Sequence, residues 1–448
     1  MKHLKLFLLC GLGLYFAGIS SYGQSINTEE YTFEKETEYC TVNMSAELPV
    51  ATDDDVCTKI TSQLYSILES VFSDNDLATL SPYNGNDMNS RAVTEYYFQL
   101  FFKELNNSSY ETAKEYEDYQ AEFSLRISKG YETPFCVVFN HHEFTYAGSA
   151  HGFEFKNTYT FSKKDGHIVD EFLDSARDLS SFQSMIRRGL CDRFQTAPEN
   201  LGDYIDVDEY HIPLPSSALY PSKEGIVFYY AAYEIAPYYA GESYFTVPYD
   251  EIIPFLSKEA RELLIGGKDA TEELSSIALE LCEYIPDHGI LDDAECHMTP
   301  EYFRAVDEAF AAPDGCYDGI GDNEWLWYFV TGNDGSSPYY TVKSVFLVDP
   351  AHAFADITIQ DIYDWEEGGK PHPESIVHRC IKMTKTEGKW LLDNFENTKQ
   401  DCQDYVKRLR AKYKSGEILK SLQSDDYTRV FVPEFKKSVE EFYQKYGK

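Results

Sequence analysis

Alternation between large apolar and polar residues in the middle of the chain sets the strongest limit on its fold. Residues 153–161 alternate over nine positions, which is typical of a β-strand with one buried face. Turn-forming residues follow at 162–167. Residues 225–230 and 244–249 predict further strands, and residues 179–194 have the apolar spacing of a helix. The chain is therefore expected to fold as a mixed α+β protein.

A glycine-containing segment, Ile-Gly-Gly-Lys at 265–268, interrupts this pattern and marks the predicted domain boundary. At 448 residues the chain is long enough for two or three domains. We expect a signal peptide over 1–23, a first α+β domain over 24–265 and a second over 269–397. A helical extension with more basic than acidic residues is predicted over 398–448.

The second predicted domain begins with helices and continues with strands. Residues 269–284 have helical spacing, and Thr299 is placed to cap a helix that has Pro300 at its first position. Strands are predicted between residues 339 and 394, and the last two are joined by a hairpin turn at 385–388. Helices followed by an antiparallel sheet are therefore the expected order of elements.

The N-terminal segment 1–23 has the layout of a secretory signal peptide. Two lysines precede the apolar run from Leu6 to Ile19, and small residues stand just before Gln24. That run is shorter than the roughly 20 apolar residues that a membrane span needs, and no later stretch is long and apolar enough for one. We expect an exported protein, periplasmic or extracellular, cleaved between Gly23 and Gln24. Lipidation of Cys10 is disfavoured, because only four apolar residues would precede it.

The chain is strongly acidic, with 76 acidic residues, 39 basic residues and a formal net charge of −37. An acidic surface repels the backbone of nucleic acids and anionic lipids, so neither is an expected partner. It attracts basic proteins and divalent cations at low salt. It also keeps an exported protein soluble, which is the commoner reason for such a charge.

The cysteines of the mature chain predict disulfides, because an exported protein meets an oxidising compartment. Cys40 and Cys57 are a plausible local pair, and Cys282, Cys296 and Cys316 contain a second. Nine cysteines follow the signal peptide, so one thiol is left over. No Cys-x-x-Cys sequence occurs, which excludes zinc-ribbon and thioredoxin-like sites.

Potential metal ligands are densest at His141, Glu143 and His151. Their spacing matches no established zinc motif, and the neighbours His141 and His142 would point to opposite faces of a strand. The acidic, glycine-rich segment 314–324 contains oxygen ligands for calcium but lacks the spacing of an EF-hand. We therefore expect no metal site and no cofactor.

Two pairs of residues resemble parts of catalytic sites. Ser149 lies near His151, but the surrounding sequence is not a Gly-x-Ser-x-Gly nucleophile elbow, and no acid is placed to orient the histidine. Cys296 precedes His297, but a fold seldom aims two sequence neighbours at one point. No catalytic residue is predicted.

Residues 115–260 resemble the extracytoplasmic domain of unknown function found in the lysozyme-sensing anti-sigma factor RsiV and in some peptidoglycan-modifying proteins. The resemblance is carried by Gly148 to Gly152 with 157–161, by 225–230 running into Tyr233 to Tyr238, and by Gly241 with 247–249. It implies an α+β domain displayed outside the cytoplasm, which binds lysozyme in one branch of the family. The membrane span of an anti-sigma factor and the catalytic metal domain of a deacetylase are not evident, so only the binding module carries over.

Residues 270–397 are similar to the nuclear transport factor two-like fold, which includes SnoaL-type and ketosteroid isomerase-like proteins. The similarity rests on the order of helices and strands and on the terminal strand 387–394. It implies a cone-shaped domain in which a curved antiparallel sheet and helices enclose a pocket. Because this fold hosts both enzymes and binding proteins, it does not define a function.

These resemblances imply a non-catalytic, exported binding protein that recognises a lysozyme-like basic protein or a peptidoglycan component. The candidate binding residues are Tyr146, His151, Tyr233, Glu234 and Tyr238 in the first domain and Trp325 and Trp327 in the second. Core packing is the commoner role of such tryptophans. The alternative function is small-molecule binding, or a hydrolase or isomerase reaction, in the pocket of the second domain.

Overall fold

The computed structural model of this chain confirms the predicted α+β class. It describes residues 25–50, 54–74, 83–85, 90–116, 119–148, 151–177, 180–286, 293–313, 338–361, 365–366, 370–371, 376–422 and 432–447. The predicted signal peptide, the segment 314–324, Cys316, Trp325 and Trp327 lie outside these residues. The chain divides into two compact units: the first comprises Met1–Phe172 and Pro215–Thr246, and the second comprises Leu173–Leu214 and Val247–Lys448.

A six-stranded sheet with the order β1-β2-β3-β4-β5-β6 is the centre of the first unit. Its elements are β1 (Thr28–Glu36), β2 (Cys40–Pro49), α1 (Asp55–Asp74), α2 (Ser90–Ala113), β3 (Ala121–Glu132), β4 (Cys136–Tyr146), β5 (Phe153–Ser162) and β6 (Ile168–Val169). Strands β2 and β3 run parallel, and the other neighbouring pairs are antiparallel. The helices α1 and α2 form the crossover that a parallel pair requires.

Alternation along the strands places the core of this unit on one face of the sheet. In β3 the side chains of Phe123, Leu125 and Ile127 are buried, whereas the residues between them are not. These side chains share a hydrophobic cluster with buried residues of α1 and α2, such as Leu64 and Phe101. The opposite face of β2 to β4 is therefore free to carry polar residues.

A three-stranded sheet with the order β7-β8-β9 completes the first unit. It consists of β7 (Tyr220–Pro221), β8 (Gly225–Tyr230) and β9 (Ser243–Pro248), of which residues 243–246 belong to this unit. Every residue of β8 is buried, which agrees with its uninterrupted apolar sequence. The strands predicted at 153–161, 225–230 and 244–249 are thus confirmed as β5, β8 and β9 to within a few residues.

The second unit contains a five-stranded antiparallel sheet with the order β10-β11-β12-β15-β16. Its strands are β10 (Lys268–Asp269), β11 (Pro338–Asp349), β12 (His352–Asp361), β15 (Ile376–Thr386) and β16 (Lys389–Phe395), and β13 (Trp365–Glu366) pairs with β14 (Lys370–Pro371) outside this sheet. Its helices are α3 (Ser180–Phe194), α4 (Tyr249–Ile252), α5 (Lys258–Ile265), α6 (Thr271–Cys282), α7 (Pro300–Ala311), α8 (Thr398–Ser415), α9 (Glu417–Leu422) and α10 (Val432–Tyr446).

Helices α6, α7 and α8 pack on one face of this sheet around a large apolar core. Tyr302 of α7, Tyr405 of α8 and Ile357 of β12 are fully or almost fully buried in it. Thr299 caps α7 by accepting a hydrogen bond from the backbone N–H of Tyr302, with Pro300 at the first helical position, as predicted. The hairpin between β15 and β16 also forms where the sequence placed it.

Two buried arginines hold other segments against the opposite face of the sheet. Arg261 of α5 makes a bidentate ion pair with Asp356 of β12, with both N–O distances at 2.8 Å. Arg177 pairs with Glu396 and also donates to the backbone carbonyl of Pro254 at 2.7 Å. Because each guanidinium is almost fully buried, these contacts fix how the segments around Arg177 and around 253–261 pack on this sheet.

Helix α2 runs through the sequence Asn-Asn-Ser-Ser at 106–109 without a break. Tertiary contacts outweigh the low helix propensity of these residues. Ser109 is buried, and the hydroxyl of Thr37 donates a 2.7 Å hydrogen bond to the side-chain carbonyl of Asn106. Among the described residues, no helix is long and apolar enough to cross a membrane.

The predicted local disulfide between Cys40 and Cys57 is not present. Cys40 opens β2, with its sulfur 3.7 Å from the side-chain carbonyl of Asn106, whereas Cys57 lies in the first turn of α1, 3.8 Å from Asp54. The two cysteines therefore have different neighbours. Cys282 and Cys296 are not joined to each other either.

Candidate functional site

The loop between β4 and β5 is shaped by two glycines that approach aromatic rings. Gly148 has a φ of +74°, and a β-carbon on it would lie 3.0 Å from the ring of Tyr119. A β-carbon on Gly152 would lie 2.2 Å from the ring of Phe144. Any other residue at these two positions would clash or be strained, so close packing requires glycine at both.

This loop meets the segment 233–238 in an exposed stack of three rings, which we call the aromatic stack: His151, Tyr238 and Tyr233. The ring centroids of His151 and Tyr238 are 4.9 Å apart, and those of Tyr238 and Tyr233 are 5.1 Å apart. The interplanar angles of 21° and 24° are those of stacked rings. Tyr233 is 65% exposed and Tyr238 is 47% exposed, so the stack presents aromatic surface to solvent.

Tyr233 is held in a backbone conformation that tyrosine rarely adopts. Its φ is +70°, in the left-handed region that favours glycine. The carboxylate of Glu234 fixes this turn by accepting hydrogen bonds from the backbone N–H of Ala231 at 2.8 Å and of Ser216 at 2.5 Å. Glu234 therefore stabilises the turn that projects Tyr233, which is a positioning role.

A chain of polar side chains extends from β4 and β5 to Tyr229 and Glu242, which precede and follow the segment 233–238 in the sequence. His142 contacts Glu154, Lys156 lies 3.2 Å from Glu154 and 2.9 Å from Glu242, and the hydroxyl of Tyr229 donates to Glu242 at 2.7 Å. Burial alone would lower the pKa of Lys156, but the two carboxylates raise it above its usual value. Burial and Glu242 raise the pKa of Tyr229. Both groups therefore keep their protons at neutral pH, and Lys156 partly neutralises the two glutamates.

His141 and His142 point to opposite faces of β4, as the strand period requires. His141 is only 2% exposed and lies between the rings of Phe155 and Tyr159, with centroids 5.4 and 6.4 Å away. Burial, followed by the nearby charge of His142, lowers its pKa to about 4. His151 belongs to the aromatic stack, so His141 and His151 have separate environments. Among the described residues, no cluster of potential metal ligands occurs.

Tyr146 is not one of the stacked rings; it lies at the end of β4, in a groove of about 1010 Å³. The groove is also lined by Tyr119 and Gly148, whereas His151 belongs to the aromatic stack. Of the five candidate binding residues in the first unit, three form the aromatic stack, Glu234 supports it and Tyr146 belongs to the groove.

The two candidate binding residues of the second unit, Trp325 and Trp327, lie outside the described residues. Trp390 of β16 is 8% exposed and packs in the core of this unit. His297 stacks on Tyr284 at a centroid distance of 3.9 Å, and its Nδ1 lies 3.2 Å from the carbonyl oxygen of Asp293. These contacts account for the ring of His297 without any role for its neighbour Cys296.

Comparison with known proteins identifies one segment of the chain. Residues 183–250 match the family model described as a protein of unknown function, DUF3298. Tyr233, Glu234 and Tyr238 lie in the matched segment, whereas His151 precedes it.

Solved structures of DUF3298 proteins are similar to about half of the chain. A family member from Bacteroides fragilis NCTC 9343 has 18% sequence identity and a TM-score of 0.40, and the match covers 52% of this chain and 94% of that chain. A family protein from Pseudomonas aeruginosa PAO1 has 13% identity and a TM-score of 0.37, with 54% and 98% covered. No curated protein matches the chain.

Sequence reasoning missed the polar chain beside the stack. Lys156 and Glu242 are 86 positions apart, so no local spacing connects them. One signal was available: Glu154 and Lys156 occupy the polar positions of the alternating strand β5 and must share a face. The partner Glu242 could be found only once β5 and the end of the segment 233–242 were known to meet.

Proposed function

We propose that this protein is an exported, non-catalytic binding protein and that the aromatic stack of its first unit contacts a basic, lysozyme-like protein. The observation that carries the proposal is the conformation of Tyr233. This residue is 65% exposed, has a positive φ and depends on Glu234 to stay in place. Folding alone gives no reason to hold a large apolar side chain in a costly conformation and in water.

The chemistry of the stack fits a cationic protein partner. Tyrosine is enriched among the residues that dominate binding energy at protein interfaces. The face of a tyrosine ring attracts the guanidinium of an arginine or the ammonium of a lysine. The formal charge of −37 would also speed the encounter with a basic protein. A cell-wall glycan lacks these cations and would gain nothing from the charge.

The resemblance of residues 115–260 to the RsiV-like extracytoplasmic domain supports the same partner. The DUF3298 match over 183–250 falls within this range. The segments that carry the resemblance, 148–152 and 233–238, are also the segments that contribute the rings of the stack. Export follows from the signal-peptide layout of residues 1–23.

Calorimetric titration of the mature chain with a c-type lysozyme tests the proposal. At about 50 and 300 mM salt the screening of charge differs substantially, so a specific interface should retain binding at the higher salt. Tyr233→Ala should weaken binding roughly ten-fold or more, as expected of a central tyrosine at an interface. Tyr339→Ala removes a tyrosine of similar exposure, 57%, from the second unit and should leave binding unchanged. Heat that disappears at 300 mM salt, or equal affinity in both variants, would contradict the proposal.

A further inference from the structure

The groove at the end of β4 is a second concave surface of the first unit, distinct from the aromatic stack. Its floor is a row of three side chains from adjacent strands. Thr41 of β2 is in register with Glu122 of β3, and Glu122 is in register with Tyr146 of β4. These residues alternate with buried core residues and therefore lie on the face opposite the helices.

Two further tyrosines and an amide form the wall of the groove. Tyr116 and Tyr119 follow the end of α2, and the amide of Gln120 lies 3.4 Å from the hydroxyl of Thr41. Tyr119 packs against the hydrophobic core and against Gly148, whose missing side chain leaves room for the ring. Tyr119 is therefore held rigidly by its surroundings, whereas Tyr116 is 62% exposed.

The chemistry of the lining excludes several classes of ligand. None of the described residues that line the groove is lysine, arginine or histidine, so it offers no cation to a phosphate or a nucleotide. No aliphatic side chain larger than alanine or threonine contributes to that lining, which disfavours a lipid chain. Its volume of about 1010 Å³ lies at the upper end of the range for small-ligand sites, so it suits a molecule larger than a single sugar ring.

We propose that this groove binds a neutral oligosaccharide. The flat C–H faces of pyranose rings are weakly positive and pack on the negative faces of tyrosine rings. The Glu122 carboxylate can accept hydrogen bonds from two neighbouring sugar hydroxyls, while Thr41 and Gln120 both donate and accept. The inference does not rest on the protein contact proposed above, because it uses different residues and a ligand without charge.

Calorimetry of the mature chain with two neutral tetrasaccharides, cellotetraose and the β-1,4-linked tetramer of N-acetylglucosamine, tests this inference. At least one of them should bind, with an affinity that changes little between about 50 and 300 mM salt because the ligand carries no charge for salt to screen. A tetramer of galacturonic acid should bind more weakly, since its carboxylates would face Glu122. Absence of heat with both neutral tetrasaccharides would overturn the proposal.

Variants of the groove locate the binding. Tyr146→Ala should weaken it roughly ten-fold through the loss of one stacking ring, whereas Tyr146→Phe should keep it. Gly148→Ala should also weaken it, because the added methyl group displaces Tyr119. Tyr233→Ala is the matched control and should bind the sugar as the wild type does. If one of these variants fails to fold, Gln120→Ala can be used instead, because Gln120 is exposed. Wild-type affinity for the sugar in all groove variants would contradict the proposed binding site.

Discussion

The exposed aromatic stack of the first unit and the buried ion pairs of the second unit both contain residues whose placement is energetically unfavourable. In the ion pairs the protein itself compensates for this, whereas in the stack it does not. In the second unit, Arg177 and Arg261 are almost fully buried, and each has a carboxylate partner and a backbone carbonyl to which it donates. In the first unit, Tyr233 and Tyr238 keep aromatic surface in water, and Tyr233 also has a positive φ.

The difference separates residues that folding explains from residues that it does not. A buried guanidinium needs its partner because an unpaired charge would destabilise the folded state. An exposed tyrosine in the left-handed region stabilises little by comparison, so its presence points to a contact outside the chain. The predictions below test whether the two regions differ in this way, beginning with the largest expected effect.

Replacing Asp356 with alanine should cause the largest loss of stability. The guanidinium of Arg261 would keep its hydrogen bond to the Ile253 carbonyl but lose its bidentate partner. Breaking a buried pair from one side costs about 3–5 kcal/mol. Urea denaturation followed by tryptophan fluorescence measures this loss in the second unit, because all four tryptophans of the chain lie there.

The control for this prediction is Glu29→Ala in the first unit. Glu29 pairs with Arg91 at 2.8 Å, but about half or more of each side chain is exposed. Exposed pairs contribute less than about 1 kcal/mol. If Asp356→Ala costs no more than Glu29→Ala, the buried pairs do not hold the second unit together.

Protonation of His141 should destabilise the first unit in acid. The pKa of His141 in the folded protein is about 4, below its usual value of 6.5, so the unfolded chain binds the proton first as the pH falls. Stability should therefore decrease between pH 6.5 and 4, by about 3 kcal/mol from this residue. In His141→Phe that part of the pH dependence should disappear, as measured by urea denaturation with circular dichroism at pH 7 and pH 4.

The matched control is His211→Phe, because the side chain of His211 is 76% exposed. Its partner Asp208 is also exposed, so solvent screens the loss of this pair and the variant should keep most of the pH dependence of the wild type. An unchanged slope in His141→Phe would show that the buried imidazole is not the group that titrates.

Much of the fold follows from local patterns in the sequence. Alternation of apolar and polar residues predicted β5 and β9, and an uninterrupted apolar run predicted β8. The capping residue Thr299 and the following Pro300 predicted the start of α7. The period of a strand also predicted that His141 and His142 would occupy opposite faces. In each case the deciding residues are within a few positions of one another.

Contacts between distant residues could not be predicted in this way. Arg177 and Glu396 are 219 positions apart, and Lys156 and Glu242 are 86 positions apart. The row of Thr41, Glu122 and Tyr146 depends on the register of three strands, which one sequence does not give. The aromatic stack could be predicted in part. The sequence indicated both of its segments, 148–152 and 233–238, as candidates for binding, but only the fold shows that they contact each other.

Replacing Cys57 with serine should change stability only slightly. The predicted disulfide was inferred from compartment and spacing, whereas Cys40 and Cys57 lie in different surroundings. Without that disulfide, the loss should be within about 1 kcal/mol, because serine has nearly the same size. A loss of about 2–5 kcal/mol, or a peptide linking the two cysteines in a non-reducing digest, would show that the disulfide forms.

The smallest expected effect is the most informative about the aromatic stack. Tyr233→Gly should leave the free energy of unfolding unchanged or raise it by about 0.5 kcal/mol, because glycine adopts a positive φ without strain. Glu387→Gly is the matched control, since Glu387 also has a positive φ, of 52°, but lies in the β15–β16 hairpin. Both variants should show similar stability in urea denaturation, but only Tyr233→Gly should lose affinity for lysozyme. A clear loss of stability in Tyr233→Gly alone would mean that Tyr233 is retained for folding, and the contrast between the two regions would no longer hold.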